Sequence, residues 1–425
     1  MSRGILTQRT TWQAALAAFA VYSCMYAFRK PYAAATFEGL AWLGLSYKVW
    51  LVVAQTCGYA LSKFYGIRFI AAMPPVGRKR LILALIAAAW IALLGFALVP
   101  RPFDIFFLFL NGMPLGLVFG VVFSYLEGRR STEFLGAVLA STFVFSSGAV
   151  KSVGKWLLLE GRIPEHWMPF AAGALFVVPL LLSAEALERT PAPDAADQQA
   201  RTKRQPMSAA ERSAFLQRFG PGIVLMVAVY ILLTLIRDVR DNFAAEIWSE
   251  LGYGQQAAIF TTTEVPVAVL VLILMSQLIW VKNNRNALWL NHMFIIGGLL
   301  LAAGATLAFR AGSLGPLWWF AATGLGLYLS YIPFNGLLFD RLLATFGVAG
   351  NVGFVMYIAD AFGYLGSVTV LSFKELAQVS WSWNAFFQNG LLLIAILGSA
   401  LMAAAWAFFA RQHAEAHASQ ALEGY

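Results

Sequence analysis

Charge is scarce in this chain. Only 12% of its 425 residues are Asp, Glu, Lys or Arg and 60% are apolar, whereas soluble globular domains run near 25% charged. That deficit excludes an ordinary water-soluble domain. Cysteine is scarcer still: Cys24 and Cys57 are the only two, both inside apolar runs, which excludes a disulfide framework and any CxxC metal spacing. Four scattered His offer no zinc cluster. The chain also lacks a Ser-His-Asp/Glu set, an HExxH and a paired-carboxylate motif placed for catalysis, so neither enzymatic activity nor a cofactor is expected.

What the chain has instead is apolar length. A bilayer span takes about 20 apolar residues, and a helix satisfies its own backbone polar groups in lipid. Twelve windows of that kind occur, at approximately 12–37, 46–67, 80–99, 104–126, 133–158, 167–187, 219–246, 256–280, 287–309, 314–339, 347–372 and 383–410. The expected fold class is therefore all-α integral membrane, with twelve transmembrane helices in two six-helix bundles. The first window is too long for a removable signal peptide and has no small-residue cleavage site, so it reads as a retained helix.

The extended polar stretch from Leu187 to Gln217 contains Thr190-Pro191-Ala192-Pro193 and reads as a solvated linker. The expected domains are thus a first bundle over 1–187, a linker over 188–217 and a second bundle over 218–425. Lys and Arg exceed Asp and Glu by 30 to 21. The excess gathers in alternate connections: Arg3 and Arg9, then Arg68, Arg78, Lys79 and Arg80, then Arg129 and Arg130, then Arg201, Lys203, Arg204, Arg212 and Arg218. Cytoplasmic loops carry such an excess. Both termini and the linker are therefore expected in the cytoplasm, in an inner (cytoplasmic) membrane, and topology accounts for the basic clusters without nucleic acid.

The two halves also repeat a local spacing. Tyr22 stands seven residues before Arg29 and Tyr230 seven before Arg237, at equivalent depths of windows one and seven, as expected of a transporter built from repeats around a midplane site.

Charge inside the apolar windows costs several kcal/mol per group and requires a partner, a water-filled cavity or a ligand. The positive candidates are Arg29, Lys30, Lys63, Lys151, Arg237 and Arg240; the negative ones are Asp238, Asp241, Glu264 and Asp360. Six against four leaves a positive residue, which suits an anion. Residues three, four and seven apart share a helical stripe. Such stripes join Tyr22, Tyr26 and Arg29; Gln55, Tyr59 and Lys63; Tyr328, Tyr331 and Asn335; and Tyr357, Asp360 and Tyr364. Arg29, Arg237, Lys63, Lys151, Tyr22, Tyr26, Tyr59, Tyr230, Tyr331 and Asn335 are the candidate substrate-binding residues. Asp360 and Glu264 are the candidate proton sites, Glu264 being equally a partner for Lys63 or Lys151. Arg237 and Asp241, at i and i+4, could instead form an ion pair that leaves Arg240 as the unneutralised charge.

Two strings carry a family resemblance. Tyr26-Ala27-Phe28-Arg29-Lys30 resembles the first-helix Tyr-x-x-Arg-Lys motif of the organophosphate:phosphate antiporters of the major facilitator superfamily, and Tyr59-Ala60-Leu61-Ser62-Lys63-Phe64 resembles that family's second-helix Tyr-Gly-x-Ser-Lys-Phe. Gly77-Arg78-Lys79-Arg80 resembles the tail of the superfamily's cytoplasmic Gly-x-x-x-Asp-Arg-x-Gly-Arg-Lys motif without its acidic residue, which places Arg78, Lys79 and Arg80 as gating residues. The resemblance implies a rocking fold in which Arg29 and Arg237 grip a phosphoryl group, with Lys63 at the family's helix 2 lysine. Lys151 lies where the family has a histidine, and the cluster Arg237-Asp238-Val239-Arg240-Asp241 is denser than the family's single Arg, marking a divergent relative.

The function expected from these features is secondary active transport of small organic anions, foremost phosphorylated metabolites exchanged for phosphate by alternating access. The alternatives are a proton-coupled organic-acid symporter and an anion sensor that kept the fold. The expected partners are a small anionic metabolite, inorganic phosphate and the lipid bilayer, with the protein acting as a monomer.

Overall fold

The computed structural model describes residues 9–71, 77–126, 129, 132–191, 209–278, 280–335, 337–348, 353–376 and 381–423. Most of the expected linker, 192–208, lies outside the described residues, as do Arg3, Arg130, Arg201, Lys203 and Arg204. Fourteen α-helices occur among the described residues. They are α1 (Arg9–Tyr26), α2 (Tyr47–Ala71), α3 (Arg78–Leu98), α4 (Ile105–Phe123), α5 (Thr132–Leu159), α6 (Met168–Glu188), α7 (Ala209–Asn242), α8 (Ala244–Glu250), α9 (Ile259–Leu278), α10 (Asn284–Arg310), α11 (Pro316–Tyr331), α12 (Leu337–Thr345), α13 (Gly353–Leu376) and α14 (Trp383–Glu423). All but the short α8 and α12 correspond to the twelve apolar windows. A two-stranded hairpin, Ala41–Trp42 with Leu45–Ser46, is the one non-helical ladder among the described residues.

Eight of these helices are long and apolar enough to cross a membrane by length and composition, among the described residues. The remaining long ones are α1, α2, α11 and α13, the four that carry the tyrosine stripes.

Packing divides the chain into two compact units. The first holds Met1–Arg201, Asp238–Ser276 and Ser367–Phe387; the second holds Thr202–Arg237, Gln277–Gly366 and Gln388–Tyr425. Helix α7 thus contributes Arg237 to the second unit and Asp238 onward to the first. The expected division at 187 and 218 follows chain order and is a different partition from this one.

Within the first unit, α2 lies against α4 with almost no side-chain spacer. A Cβ on Gly112 would meet the Gln55 carbonyl oxygen at 2.2 Å. Within the second unit, α10 and α11 approach as closely, a Cβ on Gly326 meeting the Gly298 oxygen at 2.3 Å. Small residues at such crossings supply the van der Waals contact that holds helices together where lipid removes the hydrophobic drive.

The first helix departs from expectation. It ends at Tyr26 rather than running to 37, and Pro31–Ala34 forms a separate 3-10 turn. Proline has no N–H to donate, so the helical ladder cannot run on through residue 31. The turns from Ala27 to Lys30 consequently close through short bonds, Arg29 N–H to Tyr26 O at 3.0 Å and Lys30 N–H to the same oxygen at 2.9 Å. Arg29 and Lys30 therefore sit in a non-helical segment, and their placement follows the break, not a helical stripe.

Candidate functional site

The broken end of α1 exposes backbone carbonyls at the depth of the apolar windows, where non-helical backbone is tolerated only if protein or trapped water satisfies it. Here side chains do so. Asn111, fully buried in α4, donates to Phe28 O and to Ala89 O, both at 2.9 Å. Gln55 of α2 donates to Arg29 O at 2.9 Å and to Asn111 Oδ1 at 2.8 Å. Further along, Lys48 donates to Ala33 O at 3.1 Å. These groups hold Arg29 by its backbone.

The half-buried Arg29 side chain lies over aromatic faces, its guanidinium carbon 3.9 Å from the Tyr59 ring centre and 6.0 Å from that of Tyr26. Tyr22 meets Tyr26 edge-on at 5.7 Å and packs against Phe119 and Phe143. Lys63, one turn beyond Tyr59, has its ammonium 5.3 Å from the same ring centre. Five predicted residues of the first unit, Tyr22, Tyr26, Arg29, Tyr59 and Lys63, are thereby brought together.

The second unit repeats the motif with other elements. The Arg237 guanidinium carbon stands 4.1 Å from the Tyr331 ring centre. Tyr331 stacks on Tyr230 at 5.1 Å and 23°, and their hydroxyls are 2.8 Å apart. Tyr230 also donates a short hydrogen bond to Asp360 Oδ1. Asn335 lies in the 3-10 turn Ile332–Asn335 and donates to Tyr331 O at 3.4 Å. Helix α13 can approach α7 because Gly363 faces Thr234, which a Cβ would touch at 3.1 Å.

Other charged candidates occupy buried pairs within the first unit. Asp241 accepts from Lys151 at 2.8 Å, from Lys30 at 2.5 Å and from Ser147 at 2.5 Å. Lys30 also donates to Asn242 Oδ1 at 2.8 Å. Arg240 bonds Glu264 at 2.7 Å, and both side chains are buried. Two expectations are corrected here: Arg240 carries its own carboxylate, and the partner of Glu264 is Arg240 rather than Lys63 or Lys151. A third pair, Lys48 with Glu246 at 2.6 Å, escaped the sequence reading because both residues lie at helix starts, where charge is unremarkable. Asn111, a single amide amid Ile105-Phe106-Phe107-Leu108-Phe109-Leu110, was the signal that sequence reasoning left unused.

The basic string after α2 lies elsewhere in the first unit. Arg78 donates to Ser124 O at 2.9 Å with its guanidinium carbon 5.2 Å from the Tyr125 ring centre, Lys79 pairs with Glu185 at 2.8 Å, and Arg80 is exposed.

Solved structures share this fold. The nucleoside transporter NupG superposes with a TM-score of 0.60 at 14% identity, covering 95% of this chain and 99% of its own. A D-xylose-proton symporter gives 0.60 at 16% identity, covering 94% and 97%. A bacterial homologue of the human lysosomal transporter Spinster gives 0.57 at 13%, covering 96% and 98%. The fold is accordingly the multi-pass helical membrane fold seen in these transporters. No curated protein sequence matches the chain. A family model described as a family of unknown function (DUF5690) matches residues 31–412.

Proposed function

The chain belongs to the family of unknown function DUF5690, and we propose that it is a secondary active transporter of small organic anions, with phosphorylated metabolites exchanged for inorganic phosphate as the leading substrates. The observation that carries this reading is the doubled motif: Arg29 on Tyr59 at 3.9 Å and Arg237 on Tyr331 at 4.1 Å. Arg presents its N–H donors in the guanidinium plane, while ring stacking engages the faces. An arginine seated on tyrosine is thus oriented to meet a phosphoryl or carboxylate group edge-on through paired hydrogen bonds. NupG and the xylose symporter are transporters by name, which supports transport as the use of the fold.

Arg29 and Arg237 are the proposed anion ligands, with Lys63 and the tyrosines Tyr22, Tyr26, Tyr59, Tyr230 and Tyr331 shaping their surroundings. Lys151 and Glu264 belong in this reading to the buried ion pairs that keep α5, α7 and α9 in register, which leaves Asp360 as the proton-site candidate. Exchange follows from differential binding: an anion gripped by the arginines favours switching between states, while a site without one resists it. Both termini and the 188–217 linker are placed in the cytoplasm of an inner membrane, and the transporter acts as a monomer.

Proteoliposomes loaded with phosphate test the reading. Uptake of labelled phosphate driven by internal phosphate is expected from the unaltered protein. Arg29→Lys and Arg237→Lys are each expected to lower phosphate affinity roughly 10- to 100-fold through loss of the bidentate fork, with insertion intact. Full activity in either variant removes that residue from the site. Uptake driven only by a pH gradient makes the protein a proton-coupled symporter; binding without counterflow makes it a sensor.

A further inference from the structure

In the first unit, the connection between α1 and α2 folds into a tight hairpin with an apolar tip. Trp42 and Leu45 face each other across the two-residue turn Leu43-Gly44, and both turn residues have positive φ, 49° and 78°. A turn of this kind favours Asn-Gly or Asp-Gly, because the first residue must tolerate the left-handed region. Leucine suits that backbone poorly, yet it stands there 70% exposed, with Trp42 exposed beside it. Ala41 through Gly44 form an exposed stretch without a charge. A bulky apolar side chain held at a disfavoured φ on the surface points to something that covers it.

What lies below the tip identifies the cover. The Trp50 indole N–H donates to Trp42 O at 2.8 Å, and the two ring centres are 5.0 Å apart. Trp50 heads a stripe at helical spacing on α2, Trp50, Ala54, Cys57 and Leu61, which is half-buried at its start and exposed at Cys57 and Leu61. An exposed apolar stripe on a span of this fold faces lipid. The hairpin stands on the end of that stripe: α2 begins at Tyr47, immediately after the second strand, and the Tyr47 N–H donates to Leu40 O at 2.9 Å. Ser46 N–H donates to Glu375 Oε2 at 3.1 Å, two residues from the exposed Phe373 of α13, which ties the hairpin's base to a second apolar surface.

We infer that the Trp42-Leu43 tip is a membrane anchor, seated at the headgroup level of the leaflet that borders the α1–α2 connection. The depth follows from the backbone. A two-stranded ladder has two open edges, which bars it from the hydrocarbon core but not from the hydrated interface, and tryptophan is enriched at that level. The inference requires only the membrane fold and holds whatever the chain carries.

The test places a bimane fluorophore at the tip. In the full chain with Cys24 and Cys57 replaced by alanine, Leu43→Cys and Arg162→Cys are labelled separately and reconstituted in phosphatidylcholine vesicles with no other protein. Arg162 is an exposed site on the same side of the first unit, since Glu165 accepts from the Thr36 and Phe37 N–H groups at 3.2 and 3.1 Å. A lipid nitroxide near the headgroup should quench the probe at 43 roughly twofold more than a nitroxide deep in the acyl chain, and aqueous iodide should quench it several-fold less than the probe at 162. Equal iodide quenching at the two positions, with no quenching at 43 by either nitroxide, overturns the inference. Protection from iodide without lipid quenching also overturns it, because a second copy of the chain is then the cover. Stronger quenching by the deep nitroxide overturns the interfacial depth. Both labelled positions are exposed, so thermal midpoints matching the cysteine-free parent are expected, and they separate a loss of anchoring from a loss of fold.

Discussion

At the level of single residues, the cost of burying a polar group decides what each side chain does. Asn111 satisfies two main-chain carbonyls at once. Replacing it with Leu keeps the volume and leaves Phe28 O and Ala89 O without that donor, at about 1–3 kcal/mol for each oxygen stranded. The expected outcome is a markedly lower thermal midpoint in detergent, read by tryptophan fluorescence. Asp241 poses the converse case. Two buried lysines share it, so the trio carries one net positive charge. Asp241→Asn raises this to two, and breaking a buried pair costs about 3–5 kcal/mol. Adding Lys151→Met to that variant should recover much of the loss; a double variant no more stable than the single would show that the pairing is unimportant. The sequence displayed every one of these charges inside apolar windows. It did not display who pairs with whom, because Lys30, Lys151 and Asp241 are separated by 90 residues or more along the chain while being adjacent in space.

Elements were the most legible scale. Apolar windows became helices nearly end for end, 80–99 as Arg78–Leu98 and 167–187 as Met168–Glu188, because a backbone in lipid has no other way to satisfy itself. The exceptions have proline nearby. Pro31 stops α1 short, and the window 314–339 resolves into α11, a 3-10 turn containing Pro333, and the start of α12. Equal spacing of Tyr22–Arg29 and Tyr230–Arg237 consequently produces unequal geometry: α7 stays helical through Arg237, whereas α1 has ended before Arg29. Close helix crossings are testable at this scale. Gly112→Val would drive a side chain into the Gln55 carbonyl and should destabilise the α2–α4 pair by about 1–3 kcal/mol. Gly304→Ala, where a Cβ meets nothing within 4 Å, should be tolerated, and the two midpoints compared side by side check the claim.

For the whole molecule, the distribution of Lys and Arg predicts orientation. Arg162 and Arg189 are exposed at opposite ends of α6. In a background without Cys24 and Cys57, cysteine at 189 should react with a membrane-impermeant maleimide from the cytoplasmic side only, and cysteine at 162 from the other side only. Labelling in the reverse sense would invert the topology. Composition and hydropathy alone determined that the chain is a helical membrane protein with about a dozen spans, since the cost of bare backbone in lipid depends on local sequence. The tertiary structure decided which buried charges neutralise one another and which arginines lie on tyrosine rings, since both depend on distances between residues that the chain keeps far apart.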